Sequence, residues 1–501
     1  MSNSRLLSLA LAVFTASPLI AQTSAVPIPL KVFDASYVDK SANACTDFFA
    51  FANGAWIKTD TIPAAFSSSG VTKDMTDRNE LVVRSVLDDA MNSRATAAPG
   101  STQAKLGNYY ASCMDSARAE RDGVTPIASE LRQISAVTSR AALVREIGSL
   151  HKMGISAAFR LYPDADPKDA AHYIAWVFQG GLGMPDRDYY LKTDPASDSL
   201  RKKYSAHVAR ALALSGESTA QSAADADRIM ALETELAKAS MTRVAMRDPN
   251  ALYHKTSAAS LATIAPAIDW PGYYKTVGLT SATPFLNVAQ PDYMKRVSAL
   301  IQTKPLEDWR AYLRYRVVSA ASPWLSSDFA KEDFAYNSLY SGAKAMLPRW
   351  KRCLRVTDRQ LGEALGQAYV AKTFSPQAKA EAKQVIDDIR SSFHDRLLKL
   401  TWMSDSTRNF ALAKLASMNE KVGYPDKWRD YSNLHIADGP FAPNVFSANA
   451  FEFNRVVNRP GKTVDKTEWG MTVPTVNAYY DATLNEMLFP AGALAPQTFD
   501  A

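Results

Sequence analysis

The sequence predicts a mainly α-helical fold followed by a short β region near its last residues. Apolar residues recur at helical spacing in several segments, including 106–114 and 143–150. Ser375-Pro376 has the form of a helix cap followed by a first-turn proline. One face of the helix that follows is apolar, with Ala382, Ile386, Ile389, Phe393, Leu397 and Leu400. Residues 476–492 instead contain two runs rich in β-branched and aromatic residues, which are typical of strands.

The composition is that of a folded protein with large cores. Of the 501 residues, 47% are hydrophobic and 22% are charged, a balance that argues against extended disorder. The chain length predicts two or three domains. The formal net charge is +6, from 57 basic and 51 acidic residues, and no dense block of Lys and Arg occurs. We therefore expect no nucleic-acid partner.

The first 25 residues have the order of a secretory signal. Arg5 precedes an apolar run over residues 6–14, and Pro18 leads to small residues near Ala21 and Ala25. That run is too short to cross a bilayer, and no later apolar run is long enough to cross one. We expect residues 1–25 to be a signal peptide with its cleavage region. The protein is predicted to be exported, to the periplasm or the extracellular space, with no membrane span beyond the signal.

The segment over residues 45–56 contains four aromatic side chains. Phe48 and Phe51 lie close to one helical turn apart, and Phe49 is near the same spacing. We expect a core helix here, with Gly54 as its stop.

A short strand and a glycine-rich loop are predicted between residues 161 and 191. Residues 173–178 are typical of a buried strand, and residues 179–186 form the loop. The loop glycines lack both of the common spacings that cradle a phosphate. A phosphate-binding role is not expected.

The pattern after residue 197 is mostly helical. Residues 269–274 contain Trp-Pro-Gly and are predicted to break a helix, whereas Lys304-Pro305 predicts a helix start. A further helix is expected over Thr407–Met418.

Residues 428–501 differ in character from the helical part. Residues 428–474 are polar and loop-rich, which places a domain boundary near Asp430. Beyond them, a strand from residue 476, a polar turn over 481–486 and a second strand closed by Pro490 form a predicted hairpin. A strand of this kind could hold an extended peptide.

The three cysteines leave one without a partner if an exported protein pairs its thiols. These are Cys45, Cys113 and Cys353, and Cys113 lies on an apolar helix face. Two interpretations stay open: one buried free thiol, or a cysteine whose partner is not in the 501 residues.

No metal or nucleophile site follows from the residues alone. The six histidines are His151, His172, His207, His254, His394 and His435. No two have the i, i+4 spacing of ligands on one helix face, and His-Glu-x-x-His does not occur. Ser341 and Lys344 match the Ser-x-x-Lys spacing, in which an amine activates a hydroxyl nucleophile. The companion motifs of that chemistry are absent, so an acyl-transfer enzyme is a minor hypothesis.

A set of motifs occurs in the order of one known family. The matching pieces are Cys45-Thr46-Asp47-Phe48-Phe49, Asn53-Gly54-Ala55-Trp56, Ile62-Pro63, Gln179-Gly180-Gly181-Leu182-Gly183, residues 185–191, Pro348-Arg349-Trp350-Lys351-Arg352-Cys353, Trp402-Met403, Thr407-Arg408, Ala413-Lys414-Leu415, Gly423-Tyr424-Pro425-Asp426, Val476-Asn477-Ala478-Tyr479-Tyr480 and Phe489-Pro490-Ala491-Gly492. By these motifs the chain resembles the neprilysin and endothelin-converting-enzyme family of zinc metallopeptidases, in its bacterial secreted form. The match extends from Cys45 to the last residue.

The resemblance implies a fold and an activity. The fold would be a multi-helix lid domain, a mainly helical region over 26–430 that encloses a substrate chamber. Residues 431–501 would be the start of a thermolysin-like α+β catalytic domain, with the substrate-binding strand. The implied activity is that of a zinc-dependent endopeptidase on small peptides, in which zinc activates water and a Glu acts as base.

The resemblance also assigns individual residues. It implies a disulfide between Cys113 and Cys353, worth on the order of 5 kcal/mol in the chain-entropy model before strain is considered. It implies that Cys45 pairs with a cysteine beyond the printed sequence. Asn477 and Ala478 match the pair that grips the substrate main chain, and an Asn amide offers both a donor and an acceptor for this purpose.

The chain also departs from the family pattern. The zinc helix, the third zinc ligand and a transition-state-stabilising His belong after Phe489-Pro490-Ala491-Gly492, so we expect a chain truncated before the zinc motif. By itself it is expected to bind no zinc and to be inactive. The residues after Ile62-Pro63 contain no Arg to hold a substrate's terminal carboxylate, which argues against release of dipeptides. The alternative hypothesis is a non-catalytic homologue that binds peptides.

Overall fold

The structure is a computed structural model that describes residues 34–279 and 284–494. Within these residues the chain forms 18 α-helices and seven β-strands, so the predicted mainly α fold is confirmed. The predicted signal region, residues 1–25, lies outside the described residues. None of the helices in the described ranges is both long enough and apolar enough to cross a membrane.

The elements follow one another along the chain in three groups. The first group is α1 (Phe48–Thr59), α2 (Val71–Ser93), α3 (Thr102–Met114), α4 (Ser116–Asp122), α5 (Ala128–Ser135), α6 (Arg140–Lys152), β1 (Phe159–Asp166), β2 (Asp169–Gln179), α7 (Asp188–Leu191) and α8 (Pro195–Leu214). The second is α9 (Thr219–Ala239), β3 (Lys255–Ser257), α10 (Ala258–Ile264), α11 (Trp270–Val277), β4 (Phe285–Val288), α12 (Pro291–Thr303), α13 (Leu306–Ala321) and α14 (Ser327–Ser341). The third is α15 (Arg349–Thr373), α16 (Pro376–Leu398), α17 (Asp405–Ala416), β5 (Asn419–Gly423), α18 (Phe441–Val456), β6 (Tyr479–Asp481) and β7 (Glu486–Pro490).

The strands form two small sheets. In the four-stranded sheet the order is β1-β2-β4-β3, and in the three-stranded sheet it is β5-β7-β6. β1 and β2 are an antiparallel hairpin, and β2 pairs in parallel with β4. The strand predicted over residues 173–178 lies within β2 and is mostly buried, as expected.

Most helices of the middle of the chain enclose a first core. Its buried side chains come mainly from α5 to α14 and from the four-stranded sheet. The largest fully buried members include Trp309, Tyr204, Tyr273, Tyr293 and Tyr312. Aromatic burial on this scale is a large part of the stability of such a core.

A second core lies between α2, α3, α15 and the three-stranded sheet. It includes Tyr109 of α3, Leu361 and Leu365 of α15, and Ala491 after β7. Helix α18 contributes to both cores, because Phe446 packs into the first and Phe441 into the second. The domain boundary near Asp430 stays a prediction.

The segment 269–274 starts a helix, so the predicted break there is wrong. Asp269 caps α11 by accepting a hydrogen bond from the Gly272 N–H at 3.0 Å. Pro271 lies in the first turn of α11. Proline is tolerated there because backbone N–H groups of the first turn have no hydrogen-bond acceptor within the helix. The same rule explains α13, which begins directly after Pro305 as predicted.

The expected core helix at residues 45–56 is present as α1, but its aromatics are not core. Phe48 and Phe49 are both exposed. Gly54 does not stop the helix, which continues to Thr59. Gly54 instead allows close contact with Asp39, because an added Cβ would lie 2.8 Å from the Asp39 Cβ.

Helix α16 starts where it was predicted to start, but fewer of its apolar side chains are buried than its predicted apolar face implies. The Ser375 hydroxyl caps it by accepting a hydrogen bond from the Ala378 N–H. Only Ala382 and Leu397 of this helix are buried. Ile389 is 61% exposed, although it lies on the predicted apolar face.

Helix α18 lies inside the segment 428–474 that was predicted to be loop. Pro440 and Pro443 flank its start and have the appearance of helix breakers. Both lie at or before the first turn, where proline is tolerated. The apolar residues that follow have helical spacing and face the two cores.

Candidate functional site

The predicted hairpin near residue 480 is present and forms one edge of the three-stranded sheet. β6 pairs antiparallel with β7, with Tyr479 opposite Leu488 and Asp481 opposite Glu486. β7 in turn pairs in parallel with β5. Because β7 is the central strand, β6 has a strand neighbour on one side only. An edge strand of this kind exposes backbone N–H and C=O groups to a further strand.

Helix α16 lies beside β5, at the opposite edge of this sheet. Arg390 of that helix donates a hydrogen bond to Glu420 at 2.8 Å, and Lys379 donates to the Tyr424 carbonyl at 2.9 Å. Among the described residues, β6 pairs with no strand other than β7, so its outer edge has no strand partner.

A buried carboxylate fixes β6 in its place. Glu486 of β7 is 1% exposed and accepts a hydrogen bond from the Tyr479 hydroxyl at 2.7 Å. Its other oxygen accepts from Asn419 Nδ2 at 2.9 Å and lies 2.6 Å from Lys421 Nζ. Burial and the adjacent Glu486 raise the pKa of Tyr479, so its hydroxyl stays a donor. The strands on both sides of β7 are thus tied to one side chain.

Asn477 and Ala478 lie directly before β6. Asn477 is exposed, and its Oδ1 accepts a hydrogen bond from the Ala478 N–H at 2.8 Å. Among the described residues, its Nδ2 group has no hydrogen-bond partner. Tyr480, three residues after Asn477, is 48% exposed. The pair predicted to grip a substrate therefore lies at the open edge, while its role stays a prediction.

The segment before Asn477 is clamped against the end of β7. The Gly492 N–H donates to the Val473 carbonyl at 2.9 Å. A Cβ at Gly492 would collide with the carbonyl oxygens of Pro474 and Thr475, so only glycine permits this approach. Gly492 of the Phe-Pro-Ala-Gly motif thus allows the segment that leads into β6 to lie against the end of β7.

The four-stranded sheet lies close to this edge. Asp164 of β1 is near enough to Asp481 of β6 for the two charges to interact. Burial, reinforced by the charge on Asp481, raises the pKa of Asp164. The strand β6 thus lies near the hairpin of β1 and β2.

Two of the three cysteines form a disulfide, as the resemblance implied. Cys113 of α3 and Cys353 of α15 are joined with an S–S distance of 2.04 Å, and both are buried in the second core. Cys45 is a free, exposed cysteine.

The Ser-x-x-Lys match does not form a nucleophile site. Helix α14 ends at Ser341, and Gly342 follows in the left-handed conformation. Lys344 is therefore not on the next helical turn, and its backbone N–H donates instead to the Ala64 carbonyl at 2.7 Å. Both side chains are exposed.

The described residues do not fit a zinc ion. Within residues 34–279 and 284–494, no three His, Cys, Asp or Glu side chains are grouped closely enough to hold a metal. His151 is buried between Tyr273 and the Ala157 carbonyl, and burial lowers its pKa to about 4. His207 hydrogen-bonds Glu332 at 2.9 Å. These are structural contacts of the helical region.

Sequence reasoning missed the residues that hold the edge strand. Glu486, Lys421 and Asn419 are polar residues within short strands, and nothing in their spacing identifies them as partners. A buried Glu on a central strand would be a signal, since such a carboxylate requires hydrogen-bond donors nearby. Recognising it requires knowing which strand is central.

Fold and site together describe a mainly helical protein that presents an open edge strand suited to extended peptides. The model of peptidase family M13 matches residues 44–425, and the chain belongs to that family. This confirms the resemblance to the neprilysin and endothelin-converting-enzyme family.

Individual relatives agree with this assignment. Endothelin-converting enzyme 1 from Homo sapiens is 29% identical over 477 residues, which cover 92% of this chain and 61% of the relative. Neprilysin-3 from Drosophila melanogaster is 27% identical, with 92% and 62% covered. The crystal structure of the Mycobacterium tuberculosis zinc metalloprotease ZMP1 with an inhibitor superimposes with a TM-score of 0.87 at 35% identity, covering 94% of this chain and 71% of that protein. The chain thus spans about three-fifths of the length of these curated relatives.

Proposed function

We propose that the protein has the peptide-binding part of a zinc-dependent endopeptidase for small peptides, which is the activity of its family, and that β6, with Asn477 and Ala478, holds the peptide main chain. The observation that carries this proposal is an open edge strand, directly preceded by an exposed Asn, in a member of family M13. The zinc-metalloprotease relative with the same fold supports it.

The edge strand offers binding that does not depend on peptide sequence. An extended peptide added to β6 would exchange backbone hydrogen bonds with it, and the free Nδ2 group of Asn477 would donate to a peptide carbonyl. In the proposal, residues 26–430 enclose the chamber that admits only small peptides. Residues 431–501 begin the catalytic domain.

The test of this proposal is peptide binding to the purified chain. A blocked, uncharged peptide, N-acetyl-Ala-Leu-Ala-Leu-amide, is titrated by calorimetry. Asn477→Ala is expected to weaken binding by about tenfold, because one hydrogen bond to the peptide is lost. Asn337→Ala removes an exposed Asn from α14 and serves as the matched control. Equal affinity for the wild type and Asn477→Ala contradicts the assigned role.

The zinc and the catalytic groups are a separate part of the proposal. No described group of side chains fits zinc, so no catalytic step is assigned to these residues. We propose that the 501-residue chain binds peptide without hydrolysing it. Zinc content by elemental analysis and cleavage of a quenched fluorescent peptide test this, and near-stoichiometric zinc with cleavage refutes it.

A second candidate function is that of a non-catalytic peptide-binding protein. It is favoured by the same pair of observations, an open edge strand without a described metal site. A stable monomer that binds the uncharged peptide tightly and gains no activity with added zinc supports this candidate. An active zinc-loaded protein excludes it.

Export to the periplasm or the extracellular space completes the proposal. The buried disulfide between Cys113 and Cys353 supports it, because such bonds persist in oxidising compartments. The exposed thiol of Cys45 is proposed to pair with a cysteine beyond the printed sequence. Thiol titration of the protein from its native source tests this pairing, and a free thiol at Cys45 contradicts it.

A further inference from the structure

A cavity of about 320 Å³ lies on the helical region, beside the glycine-rich loop 179–186. It is bordered by the open ends of β1 and β2, by the loop, by the segment after α9 and by α13. Four arginines and one acidic residue line it: Arg160, Arg187, Arg243, Arg316 and Asp186. We refer to it as the arginine cavity.

Two of these arginines have no acidic partner among the described residues. Arg160 donates through Nε to the Gln179 carbonyl at 3.2 Å and lies over the Phe178 ring at 5.0 Å, with no ion pair. The Nε of Arg187 is buried without a hydrogen-bond partner. A buried donor without a protein partner beside a cavity leaves a position where a group from solution, such as water or an oxyanion, can accept its hydrogen bond.

The other two arginines are already compensated. Arg243 forms an ion pair with Asp186 at 2.7 Å. Arg316 donates to the Ser156 and Leu182 carbonyls, and the buried Glu233 lies near its charge. The cavity therefore retains positive charge at Arg160 and Arg187, and this charge attracts an oxyanion.

The glycine-rich loop that forms the floor is held rigidly. The Tyr293 hydroxyl donates to the Gly180 carbonyl at 2.6 Å, and the Tyr312 hydroxyl donates to the Gly181 carbonyl at 2.7 Å. Gly181 has φ +81°, and a Cβ there would collide with the Tyr312 hydroxyl. A floor fixed in this way loses little conformational freedom when a ligand binds.

The lining also contains apolar side chains, next to the polar residues Ser156, Gln179 and Ser240, and these apolar side chains determine which group carries the oxyanion. Besides the arginines, the walls contain Phe178, Leu182, Met184, Met241 and Met246. We propose that the arginine cavity binds a carboxylate attached to an apolar group, such as an acidic peptide segment. This site is separate from the edge strand β6 and does not rest on the proposed peptidase activity.

The experiment compares three probes on the purified chain by calorimetry. N-acetyl-Leu-Glu-amide and N-acetyl-Leu-Gln-amide differ only in a carboxylate and an isosteric amide, and inorganic phosphate carries charge without an apolar group. The Glu probe is expected to bind about tenfold more tightly than the Gln probe, and its affinity is expected to fall as salt is raised. Equal affinity for the two dipeptides overturns the proposal.

Variants locate the binding. Arg160→Gln, at an exposed position, is expected to weaken the Glu probe about tenfold and to leave the Gln probe unchanged. Arg121→Gln, whose side chain is 67% exposed on α4, is the matched control. Asn477→Ala is expected to leave the Glu probe unaffected, which separates this cavity from the edge strand. Unchanged binding in Arg160→Gln overturns the proposal.

A second variant tests the apolar walls. Met246→Ala is expected to weaken the Glu probe severalfold without affecting phosphate. Phosphate that binds as tightly as the Glu probe and displaces it overturns the proposal in favour of a site for free phosphate.

Discussion

Both cores of the molecule are formed in part by helices with an apolar face, but the two cores differ in how much of that face is buried. In the first core, α13 buries Trp309, Tyr312 and Leu313 completely. In the second core, the longer helix α16 buries only Ala382 and Leu397 and leaves Ile389 and Phe393 exposed. Both helices have an apolar face in the sequence. The difference shows that a helix face becomes core only where another element packs on it.

The two cores also differ in what supports them. Interlocking aromatic side chains fill the first core, while the disulfide between Cys113 and Cys353 lies in the second. We infer that side-chain packing stabilises the first core and that a covalent link compensates for the incomplete enclosure of the second. Four measurements test this difference, in order of decreasing expected effect.

Removal of the disulfide is expected to have the largest effect. The double variant Cys113→Ser with Cys353→Ser should lose about 5 kcal/mol of unfolding free energy, because a long loop closed in the unfolded chain is released. Hydrogen exchange should increase first in α3 and α15. Cys45→Ser is the control and should change nothing. A uniform increase across both cores would contradict the division between them.

A cavity in the first core is expected to cost slightly less. Phe159 is 1% exposed, and Phe159→Ala should lower the unfolding free energy by about 4 kcal/mol. Phe410 of α17 is 78% exposed, and Phe410→Ala should change stability by about 0.5 kcal/mol or less. Chemical denaturation measures both. Similar losses in the two variants would mean that Phe410 is covered in solution.

Acid should weaken the first core through His151. Above pH 6.5 the imidazole is neutral in the folded and the unfolded protein. Between pH 6.5 and about 4 the unfolded chain takes up a proton and the folded protein does not, so the unfolding free energy decreases as the pH is lowered, by about 3 kcal/mol at most. Denaturation of His151→Gln as a function of pH should lack this loss, whereas the exposed His394→Gln should retain it. A wild-type pH profile in His151→Gln would refute the assignment.

The second core should respond to pH in the opposite direction through Asp358. Burial raises its pKa to about 6, and its Oδ1 is buried without a hydrogen-bond partner. Because the folded protein binds the proton more tightly, this group's contribution to stability decreases as pH rises from about 4 to 6. Asp358→Asn should therefore gain about 1–2 kcal/mol at pH 7 and less at pH 4.5. The exposed Asp328→Asn is the control, and a gain that is equal at both pH values would disprove the assignment.

Local patterns predicted much of the fold. The hairpin of β6 and β7, the strand within β2 and the starts of α13 and α16 follow from turn formers and caps. These signals lie within a few residues of the elements that they define, and no distant partner is needed to interpret them. The family motifs added the pairing of Cys113 with Cys353, which spacing alone leaves open.

Features that depend on distant contacts were not predictable. The exposure of Phe48 and Ile389 depends on which surfaces meet, and the starts of α11 and α18 resemble breaks because of their prolines. The partners of Glu486 come from separate strands that only the folded sheet brings together. The arginines of the arginine cavity are spread from Arg160 to Arg316, so no local pattern reveals them.

The position of Glu486 between two strands has a consequence for the direction in which Asn477 faces. A slip of one residue between β6 and β7 would move the side chains of β6 to the opposite faces of the sheet. Such short strands contain few side chains that could oppose a slip. Because Glu486 accepts hydrogen bonds from Tyr479 on one side and Asn419 on the other, a slipped pairing would leave a buried carboxylate without donors. A single buried side chain thus distinguishes the observed alignment of β6 from a slipped one.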